Sequence, residues 1–231
     1  MGEIAVIPSP KKREDMRAQG KITVLVTDDH AMFAQGVVRS LQEHDDIVVV
    51  GTAGSVEEAV AAARMHAPDV VLMDYELPDG TGVDAAERIK NEMPNTKVVM
   101  VTSYTDENVL VRAIEAGASG YVTKHKVIEE VVNAVRAAAA GEALISPAML
   151  ARLLPKLRPT KRGIGADLTS REIEVLSLLA EGLANQSIAD KLVISVHTVR
   201  HHVQNIITKL QAHSKLEAVA TAAREGIIRY P

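Results

Sequence analysis

The sequence predicts a doubly wound α/β domain with five parallel strands, followed by a small all-helical domain. Three observations predict it. Between Ile22 and Ala140, short β-branched runs alternate with amphipathic helical stretches, the pattern of a parallel sheet wrapped by helices. From Thr169 onward only helical periodicity remains. Between them lies a stretch holding Pro155, Pro159, Lys161, Arg162, Gly163 and Gly165, whose composition suits an exposed linker.

The expected strands are Ile22–Thr27, Ile47–Val50, Val70–Met73, Val98–Val101 and Gly120–Val122, with helices near 31–43, 56–66, 83–92, 106–116 and 126–140. Five of each in about 120 residues fit a flavodoxin-like sheet. This places a first domain at 21–142, a linker at 143–166 and a second domain at 167–231, with residues 1–20 expected to be a disordered arm. At 231 residues and 47% hydrophobic composition the chain can bury two cores, and its 24% charged residues are ordinary for a globular protein. The absence of cysteine excludes disulfides and thiolate metal sites. No apolar run approaches the roughly 20 residues that span a bilayer, and no signal-peptide pattern is visible, so a cytoplasmic protein without membrane contact is expected.

Charge is unevenly distributed. Residues 21–146 carry 10 Lys/Arg against 20 Asp/Glu, whereas residues 147–231 carry 12 against 7. A basic C-terminal third fits an anionic partner met only there, although solvated charge can drift without function.

In a doubly wound sheet, ligands sit beyond the carboxyl ends of the strands. Asp28 and Asp29 follow the first strand and Asp74 follows the third. Clustered carboxylates repel unless a cation joins them, and oxygen-only ligation favours a hard ion such as Mg²⁺ or Mn²⁺. Thr102 and Lys124 end the fourth and fifth strands, where a hydroxyl and an ammonium can grip phosphoryl oxygens. Singly, each residue reads more readily as solvated turn chemistry; their specificity lies in falling on successive strand ends.

The segments Val24-Leu25-Val26-Thr27-Asp28-Asp29-His30, Asp74-Tyr75-Glu76-Leu77-Pro78, Val101-Thr102 and Gly117-Ala118-Ser119-Gly120-Tyr121-Val122-Thr123-Lys124 resemble the receiver domain of two-component response regulators, over about residues 22–140. The resemblance implies that Asp74 accepts a phosphoryl group from a sensor histidine kinase. It implies metal ligation by Asp29, by Asp28 through water, by Asp74 and by the Glu76 main-chain carbonyl. It further implies phosphoryl contacts from Thr102 and Lys124, with Tyr121 changing rotamer alongside Thr102. Leu77 stands where many members have Met, and His125 where many have Pro, so a cis bond after Lys124 is not expected.

In the second domain, Thr169-Ser170-Arg171-Glu172 has capping-box spacing ahead of Ile173, Leu176, Leu179 and Ala180. Gly182 stops that helix, Asn185–Leu192 offers Ile188, Ala189 and Leu192 as a second buried face, and Ser195 caps a third helix. Val199, Val203, Ile206, Ile207 and Leu210 share one face of it. His197, Thr198, Arg200, His201, Gln204, Asn205 and Thr208 face outward, without an acid. Such an outer face is either simply solvated or placed for base edges in a major groove. With aromatics at 2%, the stacking platform of single-strand binders is missing, which favours double-stranded DNA.

The stretch from Leu168 to Glu172, then Glu181-Gly182-Leu183-Ala184-Asn185, Ile188-Ala189 and Ile194-Ser195-Val196-His197-Thr198-Val199-Arg200-His201-His202-Val203, resembles the LuxR-type helix-turn-helix domain of NarL/FixJ regulators. The resemblance implies that Arg200, His201 and Gln204 read bases at promoter sites, that Lys191, Thr198, Asn205 and Lys209 sit near phosphates, and that Lys215–Arg224 forms a homodimer contact. His197 and His201 depart from the family pattern, so base preference is not carried over. Gln211 occupies a common Gly position, and a left-handed backbone there would cost about 1 kcal/mol.

The leading expectation is a phosphorylation-gated transcription regulator, non-enzymatic beyond its own phosphorylation and dephosphorylation. An atypical receiver that signals without phosphate is a second reading. A third is an aspartate-nucleophile phosphatase, in which Glu76, two residues after Asp74, would be the acid/base.

Overall fold

The computed structural model describes residues 20–103, 107–124, 128–142, 153, 165 and 167–228. The expectations for residues 1–19, for His125 and for most of 143–166 lie outside these residues. In chain order the elements are β1 (Ile22–Thr27), α1 (Ala31–Gln42), β2 (Ile47–Ala53), α2 (Val56–His66), β3 (Val70–Met73), β4 (Glu76–Leu77), β5 (Gly80–Thr81) and α3 (Gly82–Glu92). They continue with β6 (Lys97–Thr102), α4 (Glu107–Glu115), β7 (Gly120–Thr123), α5 (Ile128–Ala139), α6 (Ser170–Ala180), α7 (Asn185–Leu192), α8 (Val196–Lys209) and α9 (Lys215–Arg224).

The sheet is parallel, in the order β2-β1-β3-β6-β7. Order reverses at β1, so the carboxyl ends of β1 and β3 flank the crevice where such sheets take ligands. Helices cover both faces, and β3 is accordingly buried along its whole length and apolar throughout. One face packs Leu25, Val71, Met73, Val98 and Met100 against α2 and α3. The other packs Val24, Val26, Leu72, Val99 and Val101 against α1 and α5. The β4–β5 hairpin was not expected from sequence. Its two-residue strands are too short for any alternation to show.

The C-terminal domain contains α6 to α9. The expected capping box is present: Thr169 Oγ1 accepts from the Glu172 N–H at 3.2 Å, and the Glu172 carboxylate accepts from the Thr169 N–H at 2.7 Å. Ser195 caps α8 by accepting from the Thr198 N–H at 3.0 Å. Val199, Val203, Ile206 and Leu210 are buried, as their common face requires, while Ile207 and Leu192 are half-buried. Gln211 has a φ of +53°, so the strain foreseen at this non-glycine position is present.

The two domains share a hydrophobic cluster. Leu110, Val111 and Ile114 of α4 pack in one body with Leu176, Leu179, Leu216 and Val219 of the C-terminal domain, and Leu153 is buried in it too. The fully buried Leu216 and Val219 belong to α9, which touches α4. Removing the Thr169 hydroxyl deletes half of the α6 cap, so Thr169→Ala is expected to cost about 1 kcal/mol of stability, read as a lower midpoint in urea denaturation at unchanged slope.

Candidate functional site

β1 ends at Thr27 and β3 at Met73, with Thr27 and Met73 in register, so the residues that follow lie side by side. The Asp74 N–H donates to the Thr27 carbonyl at 2.9 Å, extending the ladder by one rung and fixing Asp74 beside Asp28. Both acids are buried, Asp74 to 4% and Asp28 to 6% exposure, while Asp29 and His30 are exposed. Carboxylate oxygens of Asp28, Asp29 and Asp74 and a ring nitrogen of His30 all lie within 4.8 Å of one another. His30 Nδ1 stands 2.7 Å from Asp29 Oδ1, and the His30 N–H donates to Asp28 Oδ1 at 2.8 Å.

Lys124 reaches this cluster from the end of β7. Its ammonium lies 2.7 Å from Asp74 Oδ2 and 2.5 Å from Asp28 Oδ2, and 4.6 Å from the centre of the Phe33 ring. The backbone places it there, because the Lys124 N–H donates to the Thr102 carbonyl at 2.8 Å and so continues the β6–β7 pairing. Burial pushes the Asp74 carboxyl above its usual range, and the neighbouring Asp28 charge adds to that, more than offsetting the Lys124 hydrogen bond. For Lys124, burial works against the charged form, but the hydrogen bonds to Asp28 and Asp74 outweigh it and hold the ammonium's pKa above the ordinary lysine value. Thr102 is fully buried at the end of β6, and Tyr121 is half-buried between the receiver core and the cluster shared with the C-terminal domain.

Gly82 is a residue that sequence reasoning missed. A Cβ there would stand 1.8 Å from the Asp74 carbonyl oxygen, and the Gly82 N–H donates to the Tyr75 carbonyl at 2.8 Å. The start of α3 therefore rests directly on the backbone of Asp74 and folds the β4–β5 hairpin back over it. The available signal was the Asp79-Gly80-Thr81-Gly82 run so soon after Asp74.

On the C-terminal domain, the outer face of α8 presents His197, Arg200, His201, Gln204 and Thr208 as exposed, with Thr198 and Asn205 half-buried. Arg200 makes no hydrogen bond or ion pair among the described residues. Thr198 Oγ1 is 2.8 Å from Ser195 Oγ, Asn205 Nδ2 is 3.4 Å from His201 Nδ1, and the Lys191 ammonium lies 3.5 Å from Glu181. Lys209 is held differently from an open phosphate contact: its ammonium donates to the buried Glu172 at 2.8 Å and to the Asp167 carbonyl at 3.0 Å.

Residues 24–136 match the response regulator receiver domain, and residues 166–222 match the luxR family of bacterial regulatory proteins. The Bacillus subtilis (strain 168) protein named uncharacterized transcriptional regulatory protein YxjL is 37% identical over 214 residues, which cover 90% of this chain and 98% of that protein. The chain belongs to the LuxR-type (NarL/FixJ) family of two-component response regulators. Response regulator protein VraR of Staphylococcus aureus (strain NCTC 8325 / PS 47) is 36% identical over 208 residues, covering 90% of this regulator and 99% of VraR. The crystal structure of a LuxR-family two-component response regulator from Aurantimonas sp. SI85-9A1 has 30% identity and a TM-score of 0.54, covering 59% of this chain and 97% of that one.

The response regulator thus gathers Asp28, Asp29, Asp74 and Lys124 at one edge of the sheet, with Thr102 at the end of β6, Tyr121 within β7 opposite Met100, and Glu76 exposed on β4. Oxygen donors this close form the hard, acidic set that suits a divalent cation. The folded protein holds the Asp74 proton more tightly than the unfolded chain does, so ionising Asp74 costs stability. That cost is absent well below the ordinary carboxylate pKa and grows as pH rises through and above it. In EDTA, Asp74→Asn is therefore expected to melt at a higher temperature than the parent at pH 7, with the difference shrinking toward pH 4.

Proposed function

We propose that this response regulator accepts a phosphoryl group from a sensor histidine kinase on Asp74, with Mg²⁺ or Mn²⁺, and thereby controls its dimerisation and its binding to promoter DNA. The observation that carries the reading is the Lys124 ammonium bridging Asp28 and Asp74 at the carboxyl edge of the sheet. A carboxylate nucleophile, a mobile cation and further acids for a metal then share one crevice.

Asp28, Asp29, Asp74 and the Glu76 main-chain carbonyl would hold the cation. When bound, the divalent ion neutralises the oxygens of the phosphoryl group in transit. An Asp74 carboxylate oxygen attacks phosphorus while the bond to the kinase's histidine nitrogen breaks. Lys124 leaves one partner and pairs with a phosphoryl oxygen instead, a short move for a flexible ammonium. Thr102 donates its hydroxyl to another. Tyr121 follows Thr102, and because it packs against the cluster shared with α4 and α9, its movement reaches the contact between the domains. α9, the helix that the family resemblance implies for dimerisation, touches α4 of the receiver, and phosphorylation would release that contact.

In this reading the receiver catalyses only its own phosphorylation and dephosphorylation, and the protein works in the cytoplasm. No described helix is long and apolar enough to cross a membrane. Incubation with acetyl phosphate and Mg²⁺ is expected to add one phosphoryl group by intact mass and raise DNA affinity, with Asp74→Asn remaining unlabelled and folded. Unchanged mass and DNA affinity in the parent would favour the phosphate-independent reading, and rapid turnover of phosphomonoesters the phosphatase. On a target duplex, Arg200→Ala is expected to weaken specific binding by about 1–3 kcal/mol, and unchanged sequence preference would contradict a base-reading role.

A further inference from the structure

The receiver and the C-terminal domain enclose a cleft of about 280 Å³ beside the recognition helix α8. Lys97 lines it from the receiver side, Arg200 and Gln204 from α8, and Lys215 from the start of α9. Glu142, just beyond α5, is the one acid among the described lining residues. Its carboxylate accepts from the Lys215 ammonium at 2.6 Å and from the Asn185 N–H at 3.0 Å, and Asn185 Oδ1 lies 3.4 Å from the same ammonium. Lys215 is only 8% exposed and Asn185 3%. The receiver's last described residue therefore seats an anion against a buried lysine of the DNA-binding domain, in the cleft that Arg200 also lines.

Among the described residues no other acid of the cleft balances that lysine. Arg200 and Lys97 carry like charge and have no ion-pair partner among the described residues. A buried ammonium that loses its counter-ion is strongly destabilised, so without Glu142 the cleft should open to hydrate Lys215. An opened cleft leaves Lys215 and the Asn185 N–H facing out beside Arg200 and Gln204. Their chemistry, an ammonium next to a free main-chain donor, matches a phosphate oxygen as well as it matches a carboxylate.

We propose that Lys215 is a DNA-backbone phosphate contact masked in cis by Glu142, so that the receiver's carboxylate and a DNA phosphate compete for the same seat. This rests on the DNA-binding reading of the C-terminal domain. Glu142 then does more than hold two domains together: it occupies the place of the ligand. Lys215, assigned by family resemblance to a dimer helix, gains a role in duplex binding that is independent of base sequence.

Phosphate contacts are sequence-independent, so a fluorescein-labelled duplex of arbitrary sequence serves as the probe, and anisotropy of the full-length, unphosphorylated protein is read across a salt series. Glu142→Gln is expected to bind about tenfold more tightly than the parent, the size of losing one charge-assisted hydrogen bond that keeps the seat filled. Its plot of log K against log salt should steepen by about 0.9, one newly neutralised phosphate. Adding Lys215→Gln to that variant should return the slope to the parental value and lower the affinity. If the double variant keeps the affinity and slope of Glu142→Gln, Lys215 is a clasp between domains only and the proposal fails. It fails equally if Glu142→Gln matches the parent in both measures, a comparison that decides the matter by itself should circular dichroism show the double variant unfolded. A parent and variants that all ignore the duplex at low salt would overturn the DNA-binding reading, and this inference with it.

Discussion

The structure turns on keeping two buried carboxylates side by side. Asp28 and Asp74 directly follow adjacent parallel strands, and the ladder between β1 and β3 continues one rung past Met73 and holds them side by side. Like charges in so dry a place require a cation, and Lys124 supplies it from the end of β7. The order β2-β1-β3-β6-β7 makes this possible, since it brings the carboxyl ends of β1, β3, β6 and β7 to one edge from positions spread over about a hundred residues. Gly82 closes the arrangement from the side by letting α3 rest on the Asp74 backbone.

Much of this was legible in the sequence because each element repeats its signal. Strands of four to seven residues, rich in β-branched side chains and separated by amphipathic helices, have few alternative folds, and acids directly after β1 and β3 have only one edge on which to meet. The capping residues Thr169 and Ser195 announced their helices because a hydroxyl followed by a helical apolar pattern carries a mechanism. The β4–β5 hairpin was invisible, being shorter than the period that reveals a strand.

Polar residues with tertiary partners were the harder cases. Glu172 reads as a capping acid, and beyond that role it is buried and gathers the Lys209 ammonium from the far end of α8. No local pattern links positions 37 residues apart. Lys215 and Glu142 are a similar pair across 73 residues, joined only because the two domains meet. Leu110, Val111 and Ile114 did leave a trace: α4 has more apolar residues than one sheet-facing stripe needs, and the surplus is what meets α9. Lys90, fully buried in α3, left none, since its ammonium caps the carbonyls of Pro94 and Thr96.

The cluster that crosses from α4 into the C-terminal domain has a calorimetric consequence. Chains whose domains touch only through polar surfaces absorb heat in separate steps, one for each core. Here Ile114 and Leu216 belong to one apolar body, so melting the DNA-binding half exposes part of the receiver's helix layer at the same moment. The two halves are therefore expected to melt as a single cooperative unit while they remain docked. A cavity cut into the packing around Leu176 would thus register in the heat absorption of a pocket whose acids it never touches.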